Sequence, residues 1–297
     1  MIDFLTLELI NQEANELINN DKLVFSREYT IDGEEKGNCY TAKFDGLKLS
    51  IYDSGLILLK GSFHKTKNGN RHNYDDFYFY QLLHEVERIE HEYKLSLMNA
   101  NIKSIEFGVN ITPPRSTRKI LDGIMYYKTK RFEFERVGRR GLRGNFKVAE
   151  LQRFRIKFYD KRVQYNLVNE LLRYEIKVKK MAYLEKLGLS TISDLKHQNL
   201  RKGLGKILTD VWNQVLIYDF TINSRDQSDS KLIDKYSNPN YWSKLRETVS
   251  RKKYLTEVKR CEIISSENGD DLKRILGIRF KKKWDLIAHT GLKEPYS

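Results

Sequence analysis

The sequence has few cysteines, and their scarcity excludes two kinds of scaffold. Cys39 and Cys261 are the only two in 297 residues, and they are far apart along the chain. Zinc sites and disulfide frameworks need sets of cysteines at short, characteristic spacings. The sequence therefore predicts neither, and a reducing cytoplasm is the compartment that fits best.

Long apolar runs and targeting segments are missing as well. No apolar stretch approaches the roughly 20 residues that a helix needs to span a bilayer, so no membrane partner is expected. The opening segment, MIDFLTLELINQEAN, alternates like a strand and carries acidic residues early, which is not typical of a secretory or transit peptide. We expect a soluble protein in the cytoplasm of a bacterial host.

Acidic residues are too few to balance the basic ones. Lys and Arg total 54 against 40 Asp and Glu, which leaves a net charge of +14. Nucleic acid is the leading partner on charge alone, although a basic surface can also serve solubility or an acidic membrane. Apolar residues, at 40%, are abundant enough for a folded chain with one large domain or two modest ones.

Alternating apolar residues predict strands in the first part of the chain. Residues 2–9 alternate, and the segments 47–52 and 56–63 flank the turn Asp53-Ser54-Gly55, which predicts a hairpin. Apolar residues at helical spacing predict a helix from Asp76 to Tyr93, capped by Asp75 or Asp76. The other elements predicted in this part are strands at 104–111, 154–159 and 171–178 and a short helix at 117–125.

The pattern becomes helical from about Met181 onward. Residues 223–231 are polar and predict a loop or linker, and two or three basic helices follow. We expect an α+β fold with a mostly antiparallel sheet and flanking helices over residues 1–195. The helical region, residues 196–297, is either a DNA-binding module or a cap packed on the sheet, and both interpretations stay open.

Several polar residues lie on the predicted strands where they could carry chemistry. Tyr159 and Lys161 are two apart, as are Arg173 and Glu175, so each pair shares one face of its strand. Glu106 lies among apolar neighbours. A buried carboxylate is costly unless it is paired or bound to a metal. These residues either converge on a metal site or form salt bridges at the edge of the sheet.

Cations are concentrated between Pro113 and Lys147. Glycines at 138, 141 and 144 make part of this segment a predicted flexible loop, suited to the phosphate backbone of DNA. A merely solvated loop is the competing interpretation. A second, weaker patch is 281–284, Lys-Lys-Lys-Trp, in which the tryptophan can equally belong to the core. The cations of the first segment are Arg115, Arg118, Lys119, Lys128, Lys130, Arg131, Arg136, Arg139, Arg140, Arg143 and Lys147.

The order of several short segments resembles the gene II/X family of phage and plasmid replication initiators, which includes the gene II replication endonucleases of filamentous phages. The likeness covers roughly residues 1–195 and implies a tyrosine-nickase-like core that nicks and rejoins one DNA strand to start rolling-circle replication. The segments are MIDFLTLEL, GLKLSIYDSG, GSFHKTKNGNRHN, SIEFGVNI, KFYDK and LLRYEIKVKKMAYLEKLGL.

The resemblance implies that Tyr159 is the nucleophile, with Lys161 beside it. A phenol is a weak nucleophile at neutral pH, so it needs a cation or a base nearby. Lys161 and a bound Mg²⁺ or Mn²⁺ would supply this. The product would be a 5′-phosphotyrosine and a 3′ hydroxyl that primes a host polymerase, with a host helicase as the other expected partner.

The resemblance also implies a metal site at Glu106, Glu175 and His72. The family has Asp where this chain has Glu106, and its Gly-His-Asn appears here as Arg71-His72-Asn73. His64 and His72 do not form a His-hydrophobic-His pair, so which of them binds metal stays open. The residues expected to contact DNA are Lys65, Arg136, Arg139, Arg140, Arg143 and Arg173.

Other functions are compatible with the sequence. A non-catalytic origin-binding protein or repressor would account for the positive charge and the basic C-terminal helices without any chemistry. A transposase or a mobilisation relaxase would share the chemistry and differ in its DNA substrate.

Overall fold

The fold is built on one large antiparallel sheet. The computed structural model describes residues 1–27, 38–137, 142–224 and 227–291, without the side chains of 136, 137, 142–144 and 227–229. Ten strands pair in the order β2-β3-β4-β5-β1-β6-β12-β11-β10-β9, every neighbouring pair antiparallel. They are β1 (Ile2–Glu8), β2 (Phe25–Ser26), β3 (Cys39–Phe44), β4 (Leu47–Tyr52), β5 (Ile57–Ser62), β6 (Asn101–Ile111), β9 (Glu133–Val137), β10 (Leu142–Glu150), β11 (Phe154–Asp160) and β12 (Leu172–Val178).

Helices cover one face of this sheet, and a small second sheet lies beside it in the order β13-β7-β8. The elements of that sheet are β7 (Ile124–Tyr127), β8 (Lys130–Arg131) and β13 (Val215–Ile217). The helices are α1 (Ala14–Ile18), α2 (Phe63–Lys67), α3 (Phe79–Tyr93), α4 (Thr117–Gly123), α5 (Lys161–Tyr165), α6 (Gln198–Asn213), α7 (Gln227–Ser237), α8 (Pro239–Thr248), α9 (Arg251–Asn268) and α10 (Leu272–His289), with short 3-10 turns between 181 and 196.

Large aromatic side chains join α6 and α10 to the apolar face of the sheet. The Trp212 ring lies 5.8 Å from that of Phe158, and the Trp284 ring lies 6.0 Å from that of Phe107. Tyr174 of β12 is fully buried among them. Each such side chain buries 150–250 Å², so we expect this layer to provide much of the stability of the fold. The α+β class with a helical C-terminal region is confirmed.

Helices α7, α8 and α9 pack around a second, smaller apolar cluster. Tyr236, Trp242 and Cys261 form its centre, together with Tyr126 of β7. Helices α6 and α10 thus cap the sheet, whereas the three helices between them enclose a core of their own. The division of the chain at residue 195 stays a prediction.

A β-bulge in β1 changes which residues face the polar side of the sheet. Ile2 pairs with Phe107 and Leu5 pairs with Ile105, so Asp3 and Phe4 together lie opposite the single residue Glu106. Ile2 and Leu5 are both buried in the core. The bulge lets β1 keep both of these apolar residues in place and still turn the Asp3 carboxylate toward the polar face.

Two predicted elements have different bounds in the structure. The hairpin at 47–63 is confirmed, but the helix predicted from Asp76 begins only at Phe79. The N-cap residue is Tyr78, so neither Asp75 nor Asp76 caps this helix, and the Asp76 carboxylate pairs with Lys283 at 2.8 Å. The loop predicted at 223–231 is also wrong in part, because α7 begins at Gln227 and packs Leu232 against the second cluster.

Most of the cation-rich segment 113–147 is regular secondary structure, and Gly138 and Gly141 of the predicted loop lie outside the described residues. Over the described residues it contains α4, β7, β8, β9 and the first part of β10. Phe132 is buried, and so is Lys147, whose ammonium donates to the main-chain carbonyls of Asp122 and Ile124. These buried contacts organise the segment. Arg139 and Arg140 lie outside the described residues.

In the described parts of the chain, no helix combines the length and the apolar character that a membrane span requires. Trp284 of the lysine-rich patch belongs to the core, with 2% of its surface exposed.

Candidate active site

Three adjacent central strands carry the polar residues of the candidate site. Residues that alternate along a strand share a face, and in β12 the face opposite Tyr174 carries Arg173 and Glu175. In β11 the same face carries Lys157 and Tyr159. Register places Lys157 opposite Glu175 and Tyr159 opposite Arg173. Tyr159, Arg173 and Glu175 thus lie on one face of the sheet, as the alternation of side chains along the two strands predicts.

Three buried carboxylates meet on this face. Asp3, Glu106 and Glu175 each offer one oxygen, and these oxygens lie within 4.8 Å of one another. Sequence reasoning selected Glu106 and Glu175 and missed Asp3. In a regular strand, Asp3 would lie on the same face as Leu5, which is in the core. The bulge between Ile2 and Leu5 is what turns Asp3 to the polar face.

Three cations already neutralise the carboxylates. The Lys157 ammonium lies 3.0 Å from Oε1 of Glu175 and 3.2 Å from Oε2 of Glu106. The Arg173 guanidinium lies 2.6 Å from Oε2 of Glu175 and 2.9 Å from Oδ2 of Asp3. Lys177 lies 2.8 Å from Oε1 of Glu106. A buried charge persists only with such partners.

The two glutamates have opposite electrostatic environments. Burial raises the pKa of Glu175, but Arg173 and Lys157 outweigh that effect and hold this pKa well below its usual value. Burial raises the pKa of Glu106, and the charge of Glu175 raises it further. Of the two glutamates, Glu175 is therefore the more firmly held in its charged form, and Glu106 is the easier one to protonate.

Tyr159 lies at the edge of the carboxylate cluster. Its hydroxyl donates a hydrogen bond to Oε1 of Glu175 at 3.1 Å, and its ring stacks on Phe146 with 4.9 Å between the centroids. Burial raises the pKa of the Tyr159 phenol, and the charges of Glu175 and Glu106 raise it further. The phenol is therefore protonated in the arrangement described here, and added positive charge at the carboxylates would lower that pKa.

Lys161 does not lie on the strand, because α5 begins at this residue. Asp160 caps the helix by accepting a hydrogen bond from the Val163 N–H at 3.1 Å. The ammonium of Lys161 is nevertheless in the site, since it lies 5.1 Å from the Tyr159 ring centroid and 5.2 Å from that of Tyr165. Burial, together with the charge of Arg173, lowers the pKa of Lys161 to about 7.

Asn73 links Lys161 to the carboxylates. Its Oδ1 accepts hydrogen bonds from Lys161 at 3.0 Å and from the Tyr165 hydroxyl at 2.8 Å. Its Nδ2 donates to Oδ2 of Asp3 at 2.8 Å, and its main-chain carbonyl accepts from Arg173. In the triplet Arg71-His72-Asn73 it is therefore the asparagine that contacts the cluster. Sequence reasoning assigned no role to Asn73 or Tyr165.

The two histidines considered as metal ligands bind Asp75 instead. His64 Nε2 lies 2.6 Å from Oδ1 of Asp75, and His72 Nδ1 lies 3.5 Å from the same oxygen. His64 is completely buried and stacks on Phe77, and this burial lowers its pKa. Neither histidine belongs to the carboxylate cluster.

The residues expected to contact DNA have different surroundings. Lys65 lies half-buried on α2, whereas Arg173 is fully buried and its guanidinium is engaged by carboxylates. Arg136 and Arg143 are register partners in the β9–β10 hairpin, where only the backbone is described.

Comparison with solved structures finds a distant structural likeness. The chain is similar to a solved structure of the rolling circle replication initiator protein from Geobacillus stearothermophilus, with a TM-score of 0.41 and 14% sequence identity. The likeness covers 78% of this chain and 90% of that chain. No family model and no curated protein matches the sequence. Functional assignment therefore depends on the geometry of the site.

Proposed function

We propose that this protein is a metal-dependent, site-specific single-strand DNA endonuclease and strand-transfer enzyme that starts rolling-circle replication of a phage or plasmid. One observation carries the proposal: the Tyr159 hydroxyl lies 3.1 Å from Glu175, which is one of three buried carboxylates within 4.8 Å of one another. A phenol beside a set of oxygen ligands suits metal-assisted phosphodiester cleavage by a tyrosine.

Asp3, Glu106 and Glu175 suit Mg²⁺ or Mn²⁺. Both are hard cations that prefer oxygen ligands. The oxygens around an octahedral Mg²⁺ lie about 3 Å apart when adjacent and about 4 Å apart when opposite, so a cluster within 4.8 Å needs only small movements to close on one ion. When bound, the cation would polarise the scissile phosphate and stabilise the leaving oxygen.

The residues of this chain then divide the remaining work. The Tyr159 oxygen would attack phosphorus and form a 5′-phosphotyrosine as the bond to the 3′ oxygen breaks. The proton lost by the phenol would pass by way of a site carboxylate to the leaving 3′ oxygen, which departs as a 3′ hydroxyl. Oε1 of Glu175 already accepts the phenol hydrogen bond and so orients the hydroxyl, while Glu106, the glutamate that is easier to protonate, is the proton acceptor in this proposal. The positive charge of Lys161 beside the ring favours the phenolate. The reverse reaction rejoins the strand.

Arg173 and Asn73 act in this proposal by orienting the cluster. Arg173 contacts Asp3 and Glu175, and Asn73 contacts Asp3 and Lys161, so each holds two of the reacting groups at fixed positions. Our proposed contacts to the DNA backbone remain Lys65, Arg136, Arg139, Arg140 and Arg143. In the bacterial cytoplasm, a host polymerase would extend the released 3′ end while a host helicase unwinds the duplex.

Nicking of supercoiled DNA tests the proposal. The DNA flanking the gene in its natural replicon would be cloned in a supercoiled plasmid and incubated with the protein and Mg²⁺ or Mn²⁺. We expect nicked circles with wild type, none with Tyr159→Phe, and retained nicking with Tyr165→Phe, the matched control on the other side of Lys161. Mass spectrometry of the trapped adduct should find DNA on Tyr159. An adduct on Tyr165 would show that the nucleophile is misassigned.

One observation favours a second candidate, a non-catalytic origin-binding protein or repressor. The three carboxylates are already paired with Lys157, Arg173 and Lys177, an arrangement that could serve stability alone. If wild type binds the plasmid but neither binds Mn²⁺ nor nicks, this second function is correct.

A further inference from the structure

A groove of about 850 Å³ lies among the C-terminal helices and contains none of the residues of the candidate active site. It is bounded by the end of α6, strand β13, the turn between β7 and β8, and helix α9. The largest share of its wall comes from α9, and the six contributing residues follow helical spacing, so they lie on one face of this helix. These residues are Arg251, Tyr254, Leu255, Val258, Lys259 and Glu262.

The inner surface of the groove is apolar. Val215 and Leu216 of β13 line it from the small sheet, and Val258 and Leu255 line it from α9. Leu255 exposes 51% of its surface, which is unusual for a leucine that lines a concave site. The phenol ring of Tyr254 adds an aromatic surface beside them.

The same groove is strongly positive. Five cations line it against one acid, Glu262. Lys273 lies 2.5 Å from Glu262, and Arg246 donates to the main-chain carbonyl of Thr129 at 2.6 Å, so these two side chains are held in place. The charge of the single acid is thus already offset. The cations are Lys128, Arg246, Arg251, Lys259 and Lys273.

We infer that this groove binds single-stranded DNA, with an unstacked base on the apolar surface and the adjacent phosphates on the cations. A single strand offers both an apolar base face and negative charge, which matches the two properties of the groove. Duplex DNA keeps its bases stacked and offers mainly phosphate, so it would leave Leu255 and Val258 in water. The inference rests on the proposed function only in that the ligand is DNA, and it requires no cleavage.

Charge reversal on α9 tests the electrostatic part of the inference. Arg251→Glu/Lys259→Glu removes two groove cations, and Lys253→Glu/Arg260→Glu is the control, with the same charge change on the opposite, exposed side of the helix. Fluorescence anisotropy with a labelled 15-nucleotide oligo-dT and with a duplex of equal length would be measured in EDTA at several salt concentrations.

We expect the groove variant to bind oligo-dT at least about tenfold more weakly than the control variant, with a salt slope shallower by about 0.7 per lost phosphate contact. Its affinity for the duplex should match that of the control variant. Equal losses for both DNAs would overturn the inference, because they would indicate a general basic surface. Equal oligo-dT affinity in the two variants would overturn it as well.

Leu255→Ser tests the apolar part. This half-exposed residue can be replaced without disturbing the core, and circular dichroism would verify folding. We expect weaker binding of oligo-dT, an unchanged salt slope and unchanged binding of duplex DNA. Unchanged oligo-dT binding would overturn the role of the apolar surface.

Failure of the groove and failure of the nickase proposal give different results. If both proposals hold, the groove variant still nicks when DNA is saturating, and Tyr159→Phe still binds oligo-dT in the groove. A wild type that binds oligo-dT in the groove but never nicks would sustain this inference and remove the proposed function. If wild type nicks but the groove variant keeps full oligo-dT affinity, the proposed function would stand and the inference about the groove would be removed.

Discussion

Tyr159 and Glu175 meet diagonally across the β11–β12 pair: the phenol contacts Oε1 of Glu175 at 3.1 Å, although Tyr159 is the register partner of Arg173. The same oxygen accepts a hydrogen bond from Lys157 at 3.0 Å. Oε1 of Glu175 therefore contacts both the proposed nucleophile, Tyr159, and the cation of Lys157 that neutralises the carboxylate. Glu175 is itself a proposed metal ligand.

Replacing Glu175 should remove metal binding while keeping the shape of the site. Glu175→Gln preserves the side-chain volume and one oxygen but removes the negative charge, so we expect Mn²⁺ affinity to fall at least about tenfold and nicking to be lost. Titration followed by electron paramagnetic resonance of free Mn²⁺ would measure the affinity. Glu185→Gln, an exposed residue outside the cluster, is the control. Equal affinity in the two variants would exclude Glu175 as a ligand.

Lys157 occupies the position where a cation would be bound. Its ammonium contacts both Glu106 and Glu175, so a metal ion must displace it. We expect Lys157→Met to bind Mn²⁺ several-fold more tightly than wild type and to lose about 3–5 kcal/mol of stability without metal, since it leaves buried carboxylates unpaired. Thermal melting with and without Mn²⁺ would measure both effects.

Lys177→Met is the matched comparison for Lys157→Met. Lys177 also contacts Glu106, but 30% of its side chain is exposed, so its loss should cost about 1 kcal/mol or less. If both variants lose the same stability and neither gains Mn²⁺ affinity, Lys157 does not compete with a metal.

Stability should rise with pH above neutrality because of Lys161. Its pKa is lowered to about 7 in the folded protein, mainly by burial, against an ordinary value near 10.5. Between these two values the unfolded chain binds more protons than the folded one, so the free energy of unfolding increases with pH. We expect Lys161→Met to remove about 2 kcal/mol of the increase between pH 7 and pH 9.

Urea denaturation of metal-free protein at the two pH values would measure this slope. Lys252→Met, which removes an exposed lysine of α9 outside the site, is the control. If the slope persists unchanged in Lys161→Met, Lys161 is charged in the folded protein at both pH values.

Gly108 allows β6 to lie close beside Glu175. A Cβ atom at this position would lie 2.2 Å from the Tyr174 carbonyl oxygen and 2.6 Å from the Glu175 Cβ. Because those atoms belong to a central strand, Gly108→Ala must shift β12, and we expect a loss of about 1–3 kcal/mol with a loss of nicking that persists under conditions where the variant is folded.

Gly203→Ala in α6 is the control for Gly108→Ala, since its Cβ would meet only the tip of the Leu187 side chain, which can move. Nicking and urea denaturation would be measured on both variants. Full nicking by folded Gly108→Ala would mean that the position of Glu175 is not critical.

Alternation along the strands was sufficient to predict part of the site. The positions of Tyr159, Arg173 and Glu175 follow from the side-chain period of two, as does the antiparallel sheet itself. Lys157 carries the same signal, since it is two residues before Tyr159, but as one cation among many it did not stand out. Burial distinguishes it, and burial depends on the neighbouring strands.

Other parts depend on contacts that local sequence does not encode. Asp3 reaches the site through a register irregularity, and Asn73 reaches it from a segment without regular secondary structure. Composition drew attention to the cations of segment 113–147 but did not predict the strands and the helix there, in which Phe132 and Lys147 are buried. In each case tertiary packing outweighs the local pattern.

The bulge in β1 separates two demands on the same short segment. Ile2 and Leu5 pack in the apolar interior, whereas the two residues between them do not take part in that packing. Selection can therefore change the side chain at position 3, and with it the ligand that the site offers, without altering a single contact of the apolar layer.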